Sequence, residues 1–115
     1  MLVSTAPFIA GWRVAETRGH VFGLVVRSRG LGGNIMAGLR SIGGGEIHEY
    51  TALLEDTRRQ ALDRMVQNAT LMGANAIISM RFDSSELAGT RSEIVAYGTA
   101  VVVVSDASAP QPRTE

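Results

Sequence analysis

Residues 13–28, RVAETRGHVFGLVVRS, open with Val14, Glu16 and Arg18 alternating with Ala15 and Thr17 and become apolar from Val21 to Val26. This pattern predicts one long strand or two half-strands, with Gly19 and Gly23 marking a bulge or a close backbone approach. RGLGGN then reads as a loop, and Asn34 as the N-cap of a short helix, IMAGLRSI, with Ile35, Leu39 and Ile42 on one face. Gly43, Gly44 and Gly45 end that helix, because glycine accepts the left-handed conformation a helix stop needs.

From about Glu46 to Met72 the apolar spacing becomes helical. Tyr50, Leu53, Leu54, Thr57, Ala61, Met65, Asn68, Ala69 and Met72 share one face, while Arg58, Arg59, Asp63, Arg64 and Gln67 fall largely off it. No Gly or Pro interrupts the run, Glu55 and Arg59 stand four apart as an exposed pair, and Gly73 stops the helix. Two strands follow. Residues 75–84 alternate Ala76, Ile78, Met80 and Phe82 against Ile77, Ser79, Arg81 and Asp83, and residues 92–104 are apolar almost throughout. SELAGT between them is a hairpin loop turning at Gly89. Residues 105–115 have two prolines and no large apolar side chain, and read as a disordered tail on a single domain of residues 1–104.

The order β-α-α-β-β predicts a two-layer α+β fold, one long helix across a small antiparallel sheet. A single helix covers a single sheet face. Yet strand 92–104 offers Ile94, Ala96, Gly98, Ala100, Val102 and Val104 on one side and Val95, Tyr97, Thr99, Val101 and Val103 on the other. Something must cover the second face or the open edge, and the simplest cover is another copy of the chain. Trp12, Tyr97, Gly98, Thr99, Ala100 and Val101 are the candidate interface residues.

Composition narrows the classes of partner. The 115 residues carry eleven basic and eleven acidic side chains, formal net charge zero, and every basic one is Arg. A balanced chain gives no electrostatic case for nucleic acid or an anionic membrane. With no Cys, disulfides, thiolate ligands and Cys nucleophiles are excluded. MLVSTAPFIAGWR lacks a basic n-region, and no apolar run reaches the roughly 18–20 residues of a membrane span, so the expectation is a soluble cytoplasmic protein.

The segments GGNIMAGLRSIGGG, YTALLEDTRRQALDRMVQNATLMGANAIISMRFD and YGTAV, in that order, resemble the YbjQ family of small bacterial proteins across roughly residues 2–104. MGANAIISMRFD is similar to the family's Gly-Ala-(Asp/Asn)-Ala passage from helix to strand, and GLRSIGGG to its Gly-x-Arg-x-x-x-Gly-Gly loop. The resemblance implies a dodecin-like α+β fold, a homopentameric ring and a heavy-metal-binding label without an assigned biochemical role. Where the family has Arg after the paired glycines this chain has Gly45, and neither His20 nor His48 falls on a family position.

Candidate chemistry is therefore weighed on the residues themselves. Glu46, His48 and Glu49 are the candidate metal ligands. On a helix starting near Glu46 the two carboxylates share a face, but Thr51 and Ala52, at helical spacing from His48, are not ligands. A first helical turn with acids complementing the dipole accounts for the same residues. Gly43, Gly44 and Gly45 with Arg40 are the candidate anion site, since glycines before a helix offer free N–H groups; without G-K-[ST] this is no P-loop, and turns account for them equally. No G-x-S-x-G elbow, Lys or isolated carboxylate pair supports catalysis. Trp12 is the best aromatic for stacking a flavin, and also a plain interface anchor. The sequence thus reads as a non-enzymatic homo-oligomer with no predicted cofactor. The alternative is a module binding a divalent metal or small anion at the Gly-rich loops or a subunit interface.

Overall fold

The computed structural model describes residues 1–28, 47–87 and 91–106. The elements are β1 (Leu2–Val3), β2 (Trp12–Ser28), a helix α1 (Ile47–Leu71), β3 (Ala76–Leu87) and β4 (Arg91–Ser105). The strands form one sheet in the order β1-β3-β4-β2, and α1 lies across one of its faces. The two-layer α+β arrangement expected from the pattern is present. The short helix expected at 35–42, the turn at Gly89 and the tail from residue 107 lie outside the described residues.

The sheet is mixed rather than antiparallel. Residues 2–3, two residues too short to show a period, pair with β3 in parallel. Beyond them Ser4 donates its N–H to the Ile77 carbonyl at 2.9 Å and accepts through its own carbonyl from Met80 at 3.0 Å. The β3–β4 pairing is also longer than the loop SELAGT allowed, because Ser85, Glu86 and Leu87 continue the ladder opposite Glu93, Ser92 and Arg91.

β3 departs from simple alternation. Ser79 sits at φ 54°, and the register with β4 shifts between Ile78 and Arg81. This bulge changes which faces the side chains use. Ile77 is sealed in the core under the helix, Ala76 and Ile78 pack on the opposite face, and after the bulge Phe82 returns to the helix side opposite Ala96. The single face expected for Ala76, Ile78, Met80 and Phe82 is therefore split, because one inserted residue shifts the period-2 pattern by one. Gly98 faces this bulge; a Cβ there would meet the Ile77 side chain at 2.8 Å and the Ile78 carbonyl at 2.9 Å.

β2 is one continuous strand with register shifts at Ala15 and Arg18. Gly19 follows the second shift with φ 128°, a conformation that side chains avoid. Gly23 has the other expected role, a close backbone approach. A Cβ there would strike the Ala61 carbonyl and the Met65 N–H, so β2 and α1 touch backbone to backbone. The helix side of the core is built to match: Ala61, Met65 and Ala69, four residues apart, pack over Val21, Val25, Ala96 and Ala100, and Thr57, one turn earlier, is buried as well. At 25 residues α1 is about 37 Å long. It carries no basic residue in its last turn. Instead Arg18, from the β2 bulge, lays its guanidinium beside Gly73 just past the helix C-terminus, where positive charge is favoured. The Glu55–Arg59 pair expected on its surface is absent from the ion pairs of the described residues, which are Arg18–Glu16 at 3.2 Å and Arg27–Asp56 at 3.7 Å.

Candidate functional site

The sheet has a second face, and it is only partly covered. Residues 4–11 cross one end of it. There Ile9 packs with Ala76, Ile78, Val101 and Val103 into a second small core. The crossing is pinned by Arg81, which donates to the Thr5 carbonyl at 2.7 Å, and by the Ser79 N–H to the Ala6 carbonyl at 2.9 Å. Elsewhere that face carries no other element among the described residues.

Strand alternation decides what is left open. Val21, Gly23 and Val25 point at the helix, so His20, Phe22, Leu24 and Val26 point away from it. Opposite them on β4 stand Thr99, Tyr97, Val95 and Glu93. Phe22 pairs directly with Tyr97, and the two are 52% and 43% exposed, a large apolar surface to leave in water. Leu24 and Val26 continue the apolar stripe along β2, while the exposed Val14 and Trp12 lie at the other end of the strand, beyond Thr17 and His20. Arg81 and Asp83 on β3 give it a charged border opposite Tyr97 and Val95.

The outer edge of β2, which pairs with no strand among the described residues, is treated differently. Two backbone carbonyls are capped from the helix: Arg64 donates to Leu24 O, and Asn68 Nδ2 donates to Phe22 O at 2.8 Å. Carbonyls two apart on a strand point the same way, here to the outer edge. With the shifts at Ala15 and Arg18 bending the strand upstream, this edge offers an added strand little continuous template.

The residues singled out in the sequence fall into separate places. Trp12 and Tyr97 lie exposed on the second face, and Thr99 is half-buried there. Gly98 is packed at the β3 bulge, Ala100 is buried under the helix, and Val101 is buried in the second core, so these last three are engaged within one chain. His20 is exposed opposite Thr99. Arg40, Gly43, Gly44, Gly45 and Glu46 lie outside the described residues, and His48 and Glu49 open α1 with side chains outside them. Among the described residues no three His, Asp or Glu side chains converge as a metal site, and no helix is long and apolar enough to cross a membrane. Sequence reasoning did not single out Phe22, though its place beside glycines in an apolar run was visible. It also missed the capping roles of Arg64 and Asn68, which no local pattern announces.

Among the described residues, one helix lies on a four-stranded mixed sheet with one face largely open, which defines a small two-layer α+β protein. Residues 1–104 match the model of the YbjQ family, described as "Putative heavy-metal-binding", and the chain belongs to that family. It is 63% identical over 103 residues to a UPF0145 protein of Bradyrhizobium sp. (strain ORS 278), covering 90% of this chain and 93% of the relative. To a UPF0145 protein of Methanoregula boonei it is 54% identical over 112 residues, covering 97% and 93%. Relatives thus include archaeal proteins, and the family is wider than the bacterial one expected. Among solved structures, a protein of unknown function from Pediococcus pentosaceus, of the DUF74 family, shares the fold with TM-score 0.52 and 17% identity over 92% of this chain and 98% of that one.

Proposed function

We propose that the protein is a non-enzymatic self-assembling subunit, which closes into a homopentameric ring and acts in the cytoplasm without nucleic acid or membrane as partner. The observation that carries this reading is the open apolar stripe centred on Phe22 and Tyr97, on the sheet face opposite the helix. Each large side chain removed from water there contributes on the order of 1.5–3 kcal/mol, so the stripe favours association once several are covered. The capped edge of β2 directs that association to the face rather than to strand addition. Sedimentation velocity at micromolar concentration tests it. The expected result is a single species several times the 12.2 kDa chain mass, shifted toward monomer by Phe22→Glu. A monomeric wild type ends the proposal.

The family description supports a second reading, a divalent-metal or small-anion module. Its sites would draw on Glu46, His48 and Glu49, on Gly43, Gly44, Gly45 and Arg40, or on groups shared between subunits. Calorimetric titration with a panel of divalent metals, repeated on His48→Ala, decides whether His48 belongs to a site: unchanged binding removes it.

A further inference from the structure

A second exposed aromatic lies on the helix side of the sheet, away from the face just described. Phe82 stands opposite Ala96. Ala96 is sealed beneath α1, but Phe82, one strand further out, keeps 37% of its surface open. Beside it runs a groove of about 240 Å³ lined by Glu55, Arg58, Arg59, Leu62 and Phe82. The Arg58 guanidinium carbon lies 5.6 Å from the Phe82 ring centroid, within cation–π range. That contact holds the guanidinium in place and leaves its N–H donors for another acceptor. Among the described residues neither Arg58 nor Arg59 takes part in an ion pair or a hydrogen bond from its guanidinium. Two guanidiniums against the single Glu55 carboxylate leave the rim net positive over an apolar floor of Leu62 and Phe82.

We propose that this groove binds a small aromatic carboxylate. The carboxylate accepts charge-assisted hydrogen bonds from Arg58 and Arg59, and the ring lies against Leu62 and Phe82. Size sets the class. The groove falls below the roughly 300–1,000 Å³ of pockets for drug-sized ligands, which points to a single ring. Charge sets the sign, because Glu55 on the same rim opposes a dianion while the arginines favour a monoanion. The site is independent of the self-association reading, whose surface lies across the sheet.

The test is a titration of the ¹⁵N-labelled full chain with benzoate, followed by TROSY spectra, with benzyl alcohol and cyclohexanecarboxylate as comparators. Benzoate is expected to give saturable shifts centred on residues 55–62 and 82. Benzyl alcohol should give none of these, and cyclohexanecarboxylate should bind more weakly than benzoate. Arg59→Gln, a surface change that leaves the core intact, should weaken benzoate about tenfold, the scale of one charge-assisted hydrogen bond. Arg58→Gln should do the same. Shifts that fail to saturate, that centre elsewhere, or that persist unchanged in both arginine variants would overturn the proposal.

Discussion

Asn75 holds Val103 by both of its backbone polar groups: Nδ2 donates to the Val103 carbonyl at 2.9 Å, and Oδ1 accepts from the Val103 N–H at 2.8 Å. Its own N–H donates to the Val101 carbonyl at 3.1 Å. One side-chain amide thus extends the β3–β4 ladder past the end of β3, at the point where Gly73 has just released the chain from α1. This gives a physical reason for Asn in the passage from helix to strand.

Removing the amide orphans a donor and an acceptor together. Asn75→Ala is expected to cost about 1–3 kcal/mol, read as a lower midpoint in urea with an unchanged m-value. Asn75→Asp keeps an acceptor for the Val103 N–H but turns a carboxylate oxygen toward the Val103 carbonyl. That disfavours the ionised form in the fold and raises its folded-state pKa above the unfolded value of about 3.9. The deficit relative to wild type should therefore be full at neutral pH and shrink as the pH falls through the folded pKa, when a protonated oxygen can donate.

Gly23→Ala places a methyl group against the Ala61 carbonyl and the Met65 N–H, both backbone and neither able to move alone. The helix must lift from β2, uncovering Val21 and Val25. The expected cost is on the order of 3 kcal/mol or more, at the upper end for single substitutions. A thermal melt within a degree of wild type would show that the helix approach is looser than described.

Ser79 holds φ 54° without being glycine. Ser79→Gly relieves that conformation but gives the unfolded chain more freedom, so the net gain is small, a few tenths to about 1 kcal/mol. The N–H bond to Ala6 is unaffected by the change. Chemical denaturation of the variant should show a slightly raised midpoint.

Arg64→Met combined with Asn68→Ala uncaps the Leu24 and Phe22 carbonyls on the outer edge of β2. The expected loss of stability is modest, about 1–3 kcal/mol in total. The sharper expectation is added association, seen as light scattering that rises with concentration, because the unbulged part of the β2 edge after Gly19 has been freed.

The elements read from the sequence are those with a sustained period. The long helix ends within a residue of the expected stop, β2 begins within a residue of its expected start, and β4 ends within a residue of its expected end. The roles of Gly19 and Gly23 were also open to reading, since a strand interior has few other uses for glycine. What escaped was non-local. Leu2–Val3 has no pattern of its own and becomes a strand only because β3 has a free edge. The bulge at Ser79 lies inside an alternation that looks unbroken, so the pattern groups Phe82 and Met80 with Ala76 and Ile78, which the fold places on the other face. Capping of Phe22 and Leu24 by Asn68 and Arg64 spans more than forty positions, with nothing local to betray it. The candidate anion residues and Glu46 lie outside the described residues, and the side chains of His48 and Glu49 at the start of α1 lie outside them too.

β4 comes last among the strands in sequence yet sits between β3 and β2 in the sheet. It pairs Ser105 with Trp12, residues at nearly opposite ends of the described chain. During synthesis β2 and the helix therefore emerge long before the strand that joins them to β3. Until it arrives, β2 has no ladder partner and the helix no finished sheet to cover, so the chain waits with its apolar surfaces open. Long-range closure of this kind makes folding slow and aggregation-exposed. Dilution or chaperone supply during expression should therefore affect the yield of this chain more than that of an equally stable helical bundle.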